Sequence, residues 1–190
     1  MELGLISRAI DRVCELHDGE KRKGSGRPFI AHPVAVFLIL QKVTEEENIL
    51  VSGLLHDVFK KAKNYDYKDL VTEFGSEVAL IVQEISEYQG SKDQEKATWR
   101  KRKYQALERF PGMKPASQMV FTADKIHNLE SLAHDYLCCG QKIWEKFNAS
   151  EKSIAQYYAD IFQSLTTHFP HPLVGRYYQA YKKTADLFCW

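Results

Sequence analysis

Neither sign of charge is in excess in this sequence: 26 lysines and arginines stand against 25 aspartates and glutamates in 190 residues. A polyanion-binding surface spread over the whole chain is therefore excluded. Nucleic acid and membrane surfaces are not expected partners, and any attraction for phosphate must be local. Cysteine is scarce, and Cys14, Cys138, Cys139 and Cys189 show no C-x-x-C spacing. They read as free thiols of a reducing compartment, the adjacent pair as packing residues. No uninterrupted apolar run approaches the roughly 18 residues of a membrane span. Glu2, Arg8 and Asp11 interrupt the apolar residues of the N-terminus, so a soluble, cytoplasmic protein is expected. Nowhere does a run of Val, Ile and Thr alternate with polar residues as a half-buried strand would, and no internal repeat appears.

What is there is helical spacing. With 44% apolar residues the chain can bury one core, and an all-α single domain over 1–190 is expected. Leu5, Ile6, Ala9, Ile10, Val13 and Leu16 share one helix face. Residues 19–29 hold three glycines and a proline among Lys21, Arg22, Lys23 and Arg27, which makes an irregular basic loop. The spacing predicts helices over 33–43, 46–60, 69–74 and 76–88, with His32 just outside the second of the chain's helices and Pro33 in its first turn. Gly53 lies one turn before His56, where a close approach by another helix or by a metal would require it. The polar segment 89–96 precedes the charge run Arg100 to Lys103, after which Pro111-Gly112 ends a helix and Pro115 opens the next. Helical spacing with many aromatics fills 143–169 and 172–187, read as core rather than as a stacking platform.

The chemistry centres on His56-Asp57, an imidazole and a carboxylate on adjacent residues at the polar end of an apolar run. Alone, such a pair is as readily a hydrogen-bonded core feature as a ligand pair. His32 and Asp124 complete a possible set of two nitrogens and two oxygens. That mixture suits Mn, Fe, Co, Ni or Zn better than Mg or Ca. On the helix after Pro115, Asp124 shares a face with His127 or Asn128 and Ser131, while apolar residues spread around the rest. A buried carboxylate there needs a partner for its charge, and a metal would serve.

Four stretches, His17 to Val36, Gly53 to Val58, Glu73 to Val78 and Ala123 to Leu129, together resemble the HD-domain hydrolases. Within them the likeness is to the RelA/SpoT-type hydrolase domain and the small alarmone hydrolases, the metazoan SpoT homologue-like proteins among them. The resemblance covers about residues 5–135 and implies an HD-type bundle of about eight to ten helices. It also implies one divalent transition metal, Mn2+ foremost, on His32, His56, Asp57 and Asp124. It places Arg22 against a purine base if Gly24 is an insertion, with Lys23 and Ser25 beside it, Arg100 and Lys101 near the phosphates, and Asn128 on the nucleotide. His127 is left open between an outer partner of the site and a helix-surface residue.

One departure matters most. Where the family carries a Glu-Asp pair that activates water, this chain has Lys60-Lys61. A protonated lysine cannot act as that base, although a cation beside the site can neutralise phosphate oxygens. Asp66 and Asp69 are either substitute acids or a turn and a helix cap. The expected function is a metal-dependent phosphohydrolase acting on a (p)ppGpp-like nucleotide by a modified mechanism. The alternatives are an impaired, nucleotide-binding or sensing protein that keeps the metal site, and a purely structural or partner-binding helical domain.

Overall fold

A computed structural model describes residues 3–60, 65–87 and 98–190. Among these there are nine α-helices and no strand, in keeping with the all-α HD-type bundle expected. In chain order they are α1 (Leu5–Leu16), α2 (Ala31–Leu40), α3 (Glu47–Leu55), α4 (Tyr67–Phe74), α5 (Ser76–Ile85), α6 (Trp99–Arg109), α7 (Pro115–Cys139), α8 (Glu151–His168) and α9 (Leu173–Phe188). Lys61 and the segment 89–96 lie outside the described residues.

The 25-residue α7 is the axis of the fold, packed against α2, α3, α5 and α9. Its apolar residues surround it rather than forming a stripe, so it is buried on several sides: Val120, Phe121, Ala123, Ile126 and Leu129 are all in the core. The main core joins them to Val36, Leu40, Ile81, Phe110, Ile161 and Tyr177. A second cluster sets Ala9 and Val13 of α1 against Val51, Leu54 and Leu55 of α3 and Val78 of α5. Each fully buried aliphatic side chain there stabilises the fold by about 1.5–3 kcal/mol relative to exposure. The aromatic C-terminal helices are core, as their spacing indicates: Tyr157 and Tyr177 are buried, while Tyr178 remains on the surface.

Gly53 brings α3 onto α2. A Cβ built there would meet Leu40 Cδ1 at 2.5 Å and Val36 Cγ1 at 3.6 Å, and Leu40 is fully buried. The glycine thus serves a helix contact, not the metal.

Several boundaries differ from those the spacing predicts. The second helix begins at Ala31, which puts His32 and Pro33 both in its first turn, where a proline gives up a backbone donor that has no helical partner anyway. The helix before the His-Asp pair ends at Leu55, not at residue 60, and a 3-10 turn over Val58–Lys60 follows. Within the stretch read as helix from 143 to 169, a 3-10 segment, Gly140–Lys146, precedes an α8 capped by the Ser150 hydroxyl accepting from Ser153 N. Asp66 and Asp69 form a capping box at the start of α4: the Asp66 carboxylate accepts from Lys68 N and Asp69 N, and the Asp69 carboxylate from Asp66 N. Both carboxylates are committed to the helix start and are not substitute acids. Cys138 is exposed rather than packed, and Cys139 is half-buried.

Candidate metal centre

Three helices deliver the site. His32 comes from the first turn of α2, His56 and Asp57 from the break after α3, and Asp124 from the middle of α7. All four are buried. His32 Nε2 lies 3.0 Å from His56 Nε2, 3.2 Å from Asp124 Oδ1 and 3.7 Å from Asp57 Oδ2. His56 Nε2 lies 3.4 Å from Asp57 Oδ1 and 3.8 Å from Asp124 Oδ1. His32, His56 and Asp124 each offer an atom within 4.8 Å of the others. The helix break is what lets His56 and Asp57 converge, because adjacent residues of a continued helix would diverge by about 100°.

The hydrogen bonds fix the lone pair of a neutral His56 and allow one on His32 that faces the same way. His56 Nδ1 faces the Gly53 carbonyl at 2.8 Å, and only an N–H can bond to a carbonyl, so in the neutral ring Nε2 is the free acceptor. His32 Nδ1 faces His127 Nδ1 at 2.6 Å, and His127 Nε2 faces Ser131 Oγ at 3.3 Å. With the His32 proton on Nδ1 donated to His127, and the His127 proton on Nε2 donated to Ser131, the chain is satisfied and His32 Nε2 is free for a metal.

Both rings are held neutral at ordinary pH. Burial pushes the His32 pKa down to about 3 against the pull of Asp124, and burial together with Arg22 takes His127 down to about 4. For Asp124, burial alone would raise the pKa. Lys125, 2.7 Å away, outweighs burial and holds the carboxyl well below its ordinary value. Asp57 is likewise ionised, its burial outweighed by the positive charge around it, with the Lys60 ammonium in direct ion-pair contact.

The Nε2 atoms of His32 and His56 and the ionised Asp124 carboxylate therefore converge on one spot, with the ionised Asp57 carboxylate beside them. Asp57 Oδ1 is buried there without a well-formed hydrogen bond, its charge neighbour being the Lys60 ammonium. Donor separations of 3.0–3.8 Å match the edges around a metal bound at roughly 2.0–2.2 Å per ligand. The residues present fit a divalent ion.

The basic loop reaches this centre through one amide. Arg22 Nη2 donates to Asn128 Oδ1 at 3.2 Å, and Asn128 Nδ2 donates to Asp124 Oδ1 at 2.5 Å. Arg22 also lies over the Phe29 ring, 5.9 Å from its centroid. The loop is held as a hairpin-like turn by Arg22 N donating to Arg27 O and Phe29 N donating to Glu20 O. Ser25 Oγ accepts from Arg27 N, and Lys23 is exposed. Gly24 has no room for a side chain, since a Cβ there would overlap the Asp135 carboxylate.

On α6 the inward pair is Arg102-Lys103, not Arg100-Lys101. Arg100 and Lys101 face solvent, whereas Lys103 Nζ and Arg102 Nη1 pair with the Glu87 carboxylate at 2.6 and 3.3 Å. The helix phase, which a run of four like charges conceals, is set by Ala106 and Leu107 turning into the core. Glu87 and Lys125 line the same cleft as His56, Asp57, Lys60 and Asp124. Sequence reasoning passed over both. For Lys125 the available signal was its place on a helix apolar all round, and its ammonium lies 4.6 Å from the Phe121 centroid.

An all-helical bundle that brings a His-Asp pair onto a histidine and an aspartate from two other helices defines a class of metal-binding helical domain. This chain belongs to one such family, the HD domain, which matches it over residues 9–168. HD domains bind divalent metal. Among similar curated proteins are a GTP pyrophosphokinase of Myxococcus xanthus, 33% identical over 139 residues, and the bifunctional (p)ppGpp synthase/hydrolase SpoT of Escherichia coli, 32% identical over 124 residues. These alignments take in 70% and 62% of this chain, but only 18% and 16% of those proteins. The chain thus spans less than a fifth of their length. Among solved structures, a metazoan orthologue of SpoT described as hydrolysing ppGpp superposes with a TM-score of 0.72 at 18% identity, covering 96% of this chain and 97% of the other. The protein lmo0812 of Listeria monocytogenes superposes at 0.69 with 23% identity, covering 84% and 99% respectively. At these identities the structural likenesses show the fold. Among the described residues no helix is long and apolar enough to cross a membrane.

His127, whose role the sequence left open, meets His32 Nδ1 at 2.6 Å. As an acceptor for that nitrogen it would orient the ring, so His127→Ala should cost about 10- to 100-fold in metal affinity with little change in melting temperature. Competition against a fluorescent chelator measures this. Unaltered affinity would make His127 a bystander.

Proposed function

We propose that this chain is a metal-dependent phosphohydrolase acting on a phosphorylated or pyrophosphorylated nucleotide of the (p)ppGpp type. His32, His56, Asp57 and Asp124 hold the metal, and Mn2+ suits their mixed nitrogen and oxygen donors. The observation that carries the reading is the convergence of the His32 and His56 Nε2 atoms on two ionised carboxylates. Relatives named as (p)ppGpp 3'-pyrophosphohydrolases support the substrate class.

A divalent ion in this site supplies Lewis-acid polarisation of a phosphoryl oxygen and a water of lowered pKa. The protein's own groups do the rest. Arg22, Lys23 and Ser25 on the loop and Asn128 on α7 face the nucleotide, the Arg22–Asn128 hydrogen bond tying base recognition to the centre. Arg102 and Lys103, gathered on Glu87, and Lys125 on Asp124 line the anionic side of the substrate. Lys60 and Lys61 stand where an acid pair would assist water. Lys60 is a cation paired with Asp57, so it offers charge to phosphate and no base to water.

That same ion pair favours a second reading, a protein that binds nucleotide and metal with little turnover. Incubation with ppGpp, pppGpp, NADPH and dNTPs in Mn2+ separates the two. Metal-dependent release of phosphate or pyrophosphate from at least one of them is expected. Tight binding without release would establish the sensing alternative, and neither binding nor release would remove both.

A further inference from the structure

Lys60 ends the 3-10 turn that follows the His-Asp pair, three residues beyond Asp57, and this spacing carries its ammonium to Asp57 Oδ1. That oxygen is also 3.4 Å from His56 Nε2. One atom therefore belongs both to the converging donor set and to a lysine ion pair. A divalent ion on the donors and an ammonium on the same oxygen would repel each other at short range, so the two are competing occupants of Asp57.

The competition has an outlet. The Lys60 side chain is 40% exposed although its ammonium sits on the buried Asp57 carboxylate, so its stem reaches the surface of the cleft, and four flexible carbons let the ammonium pivot while its base stays fixed. Nearby anions do not absorb it. Glu87 is within electrostatic reach, but Lys103 and Arg102 already occupy its oxygens, and Asp124 has Lys125. Asp57, Asp124 and Glu87 face Lys60, Lys125, Lys103 and Arg102, so this group of side chains is cationic before any metal arrives and more so afterwards. An ammonium displaced from Asp57 needs a new anion, and a phosphate oxygen held at the metal side of the cleft is placed to be it.

We propose that Lys60 alternates between two partners, Asp57 in the metal-free protein and a phosphate oxygen of the ligand in the metal-loaded one, so that divalent metal and phosphate bind cooperatively. The proposal rests on the metal reading given above. It makes Lys60 a stand-in for the metal's charge that becomes part of an anion site when the metal enters, in place of a water-activating acid. The coupling is reciprocal: phosphate tightens metal binding by the factor by which metal tightens phosphate binding.

The test is Mn2+ binding followed by the electron paramagnetic resonance of the free ion, with and without millimolar inorganic phosphate at constant ionic strength. Wild type should bind Mn2+ about tenfold more tightly with phosphate, inside the 5- to 150-fold range usual for coupled sites. Lys60→Gln should bind Mn2+ several-fold more tightly than wild type when phosphate is absent, because the competing cation is gone. Its enhancement by phosphate should shrink below roughly threefold. Lys60→Arg, which keeps the charge and the reach, should retain the coupling, which guards against a trivial folding defect. Lys60→Gln with wild-type coupling, or with weaker Mn2+ binding in the absence of phosphate, overturns the proposal. Mn2+ binding that His56→Ala abolishes but Lys60 variants leave alone removes this inference and spares the metal reading. No Mn2+ binding by wild type removes both.

Discussion

Asp124→Asn should purify as a folded protein stripped of metal, its affinity for Mn2+ down by more than about 100-fold. That exceeds the 10- to 100-fold usual when an outer partner of a site is removed, because Asp124 supplies a donor atom directly. Its Oδ1 is 3.2 Å from His32 Nε2 and 3.8 Å from His56 Nε2, and it is the carboxylate grouped with both rings within 4.8 Å among the described residues. Asparagine keeps the shape, but its single carbonyl oxygen can accept at only one of the two positions that take Asn128 and Lys125, and it takes away the charge that a divalent ion and a buried lysine both need. Lys125 is 5% exposed. Weakening its hydrogen-bonded partner should cost about 1–3 kcal/mol of stability, which thermal unfolding will register separately from metal loss. Any metal-dependent turnover should fall at least in proportion to the metal lost. Asp135→Asn is the control: it alters a buried carboxylate on the same helix that faces the basic loop instead, so metal content should stay at the wild-type level. Metal analysis after dialysis reads both variants. Stoichiometric metal in Asp124→Asn would sink the assignment.

The metal-free protein should lose stability steeply between pH 7 and pH 5. In an unfolded chain histidine titrates near 6.5, whereas burial takes His32 to about 3 and His127 to about 4 in the fold. Below pH 6.5 the unfolded chain takes up protons that these two rings refuse. The stabilisation is thus complete above about pH 7 and drains away as pH falls towards the folded values. By pH 5 the loss should be on the order of 2 kcal/mol, carried mainly by His32, since His127 is partly exposed and screened by solvent. Asp57 and Asp124, both held below the ordinary carboxylate range, add their loss only below about pH 4. Mn2+ should shift the whole profile to lower pH, because the ion competes with protons for the same nitrogens. Urea midpoints measured across this range provide the check. A flat profile from pH 7 to pH 5 would mean that the two rings are protonated in the fold, and the bare-nitrogen account of the site would fail with it.

The sequence by itself determined that this chain is a helical domain and which four residues were worth suspecting as metal ligands. Helix class is a local property: the three-and-four spacing of Leu5 to Leu16, the prolines at 111 and 115 and the glycine at 112 act within a few residues of themselves. The likeness to HD-domain hydrolases was also written in short contiguous stretches, so His32, His56, Asp57 and Asp124 could be singled out before any contact was known.

Only the tertiary structure decided how those residues are used. At the break after Leu55 the His56 ring faces the Gly53 carbonyl at 2.8 Å, a side-chain contact that helical periodicity does not encode. His127 could be assigned only when α2 brought His32 within 2.6 Å of it across 95 residues. The inward side of Arg100 to Lys103 depended on which way Ala106 and Leu107 rolled α6, because four successive cations present the same chemistry at every helix phase. For Lys60, charge was legible and partner was not: an ion pair is a matter of distance, and the distance is fixed by a 3-10 turn that the sequence read as the last turn of a helix.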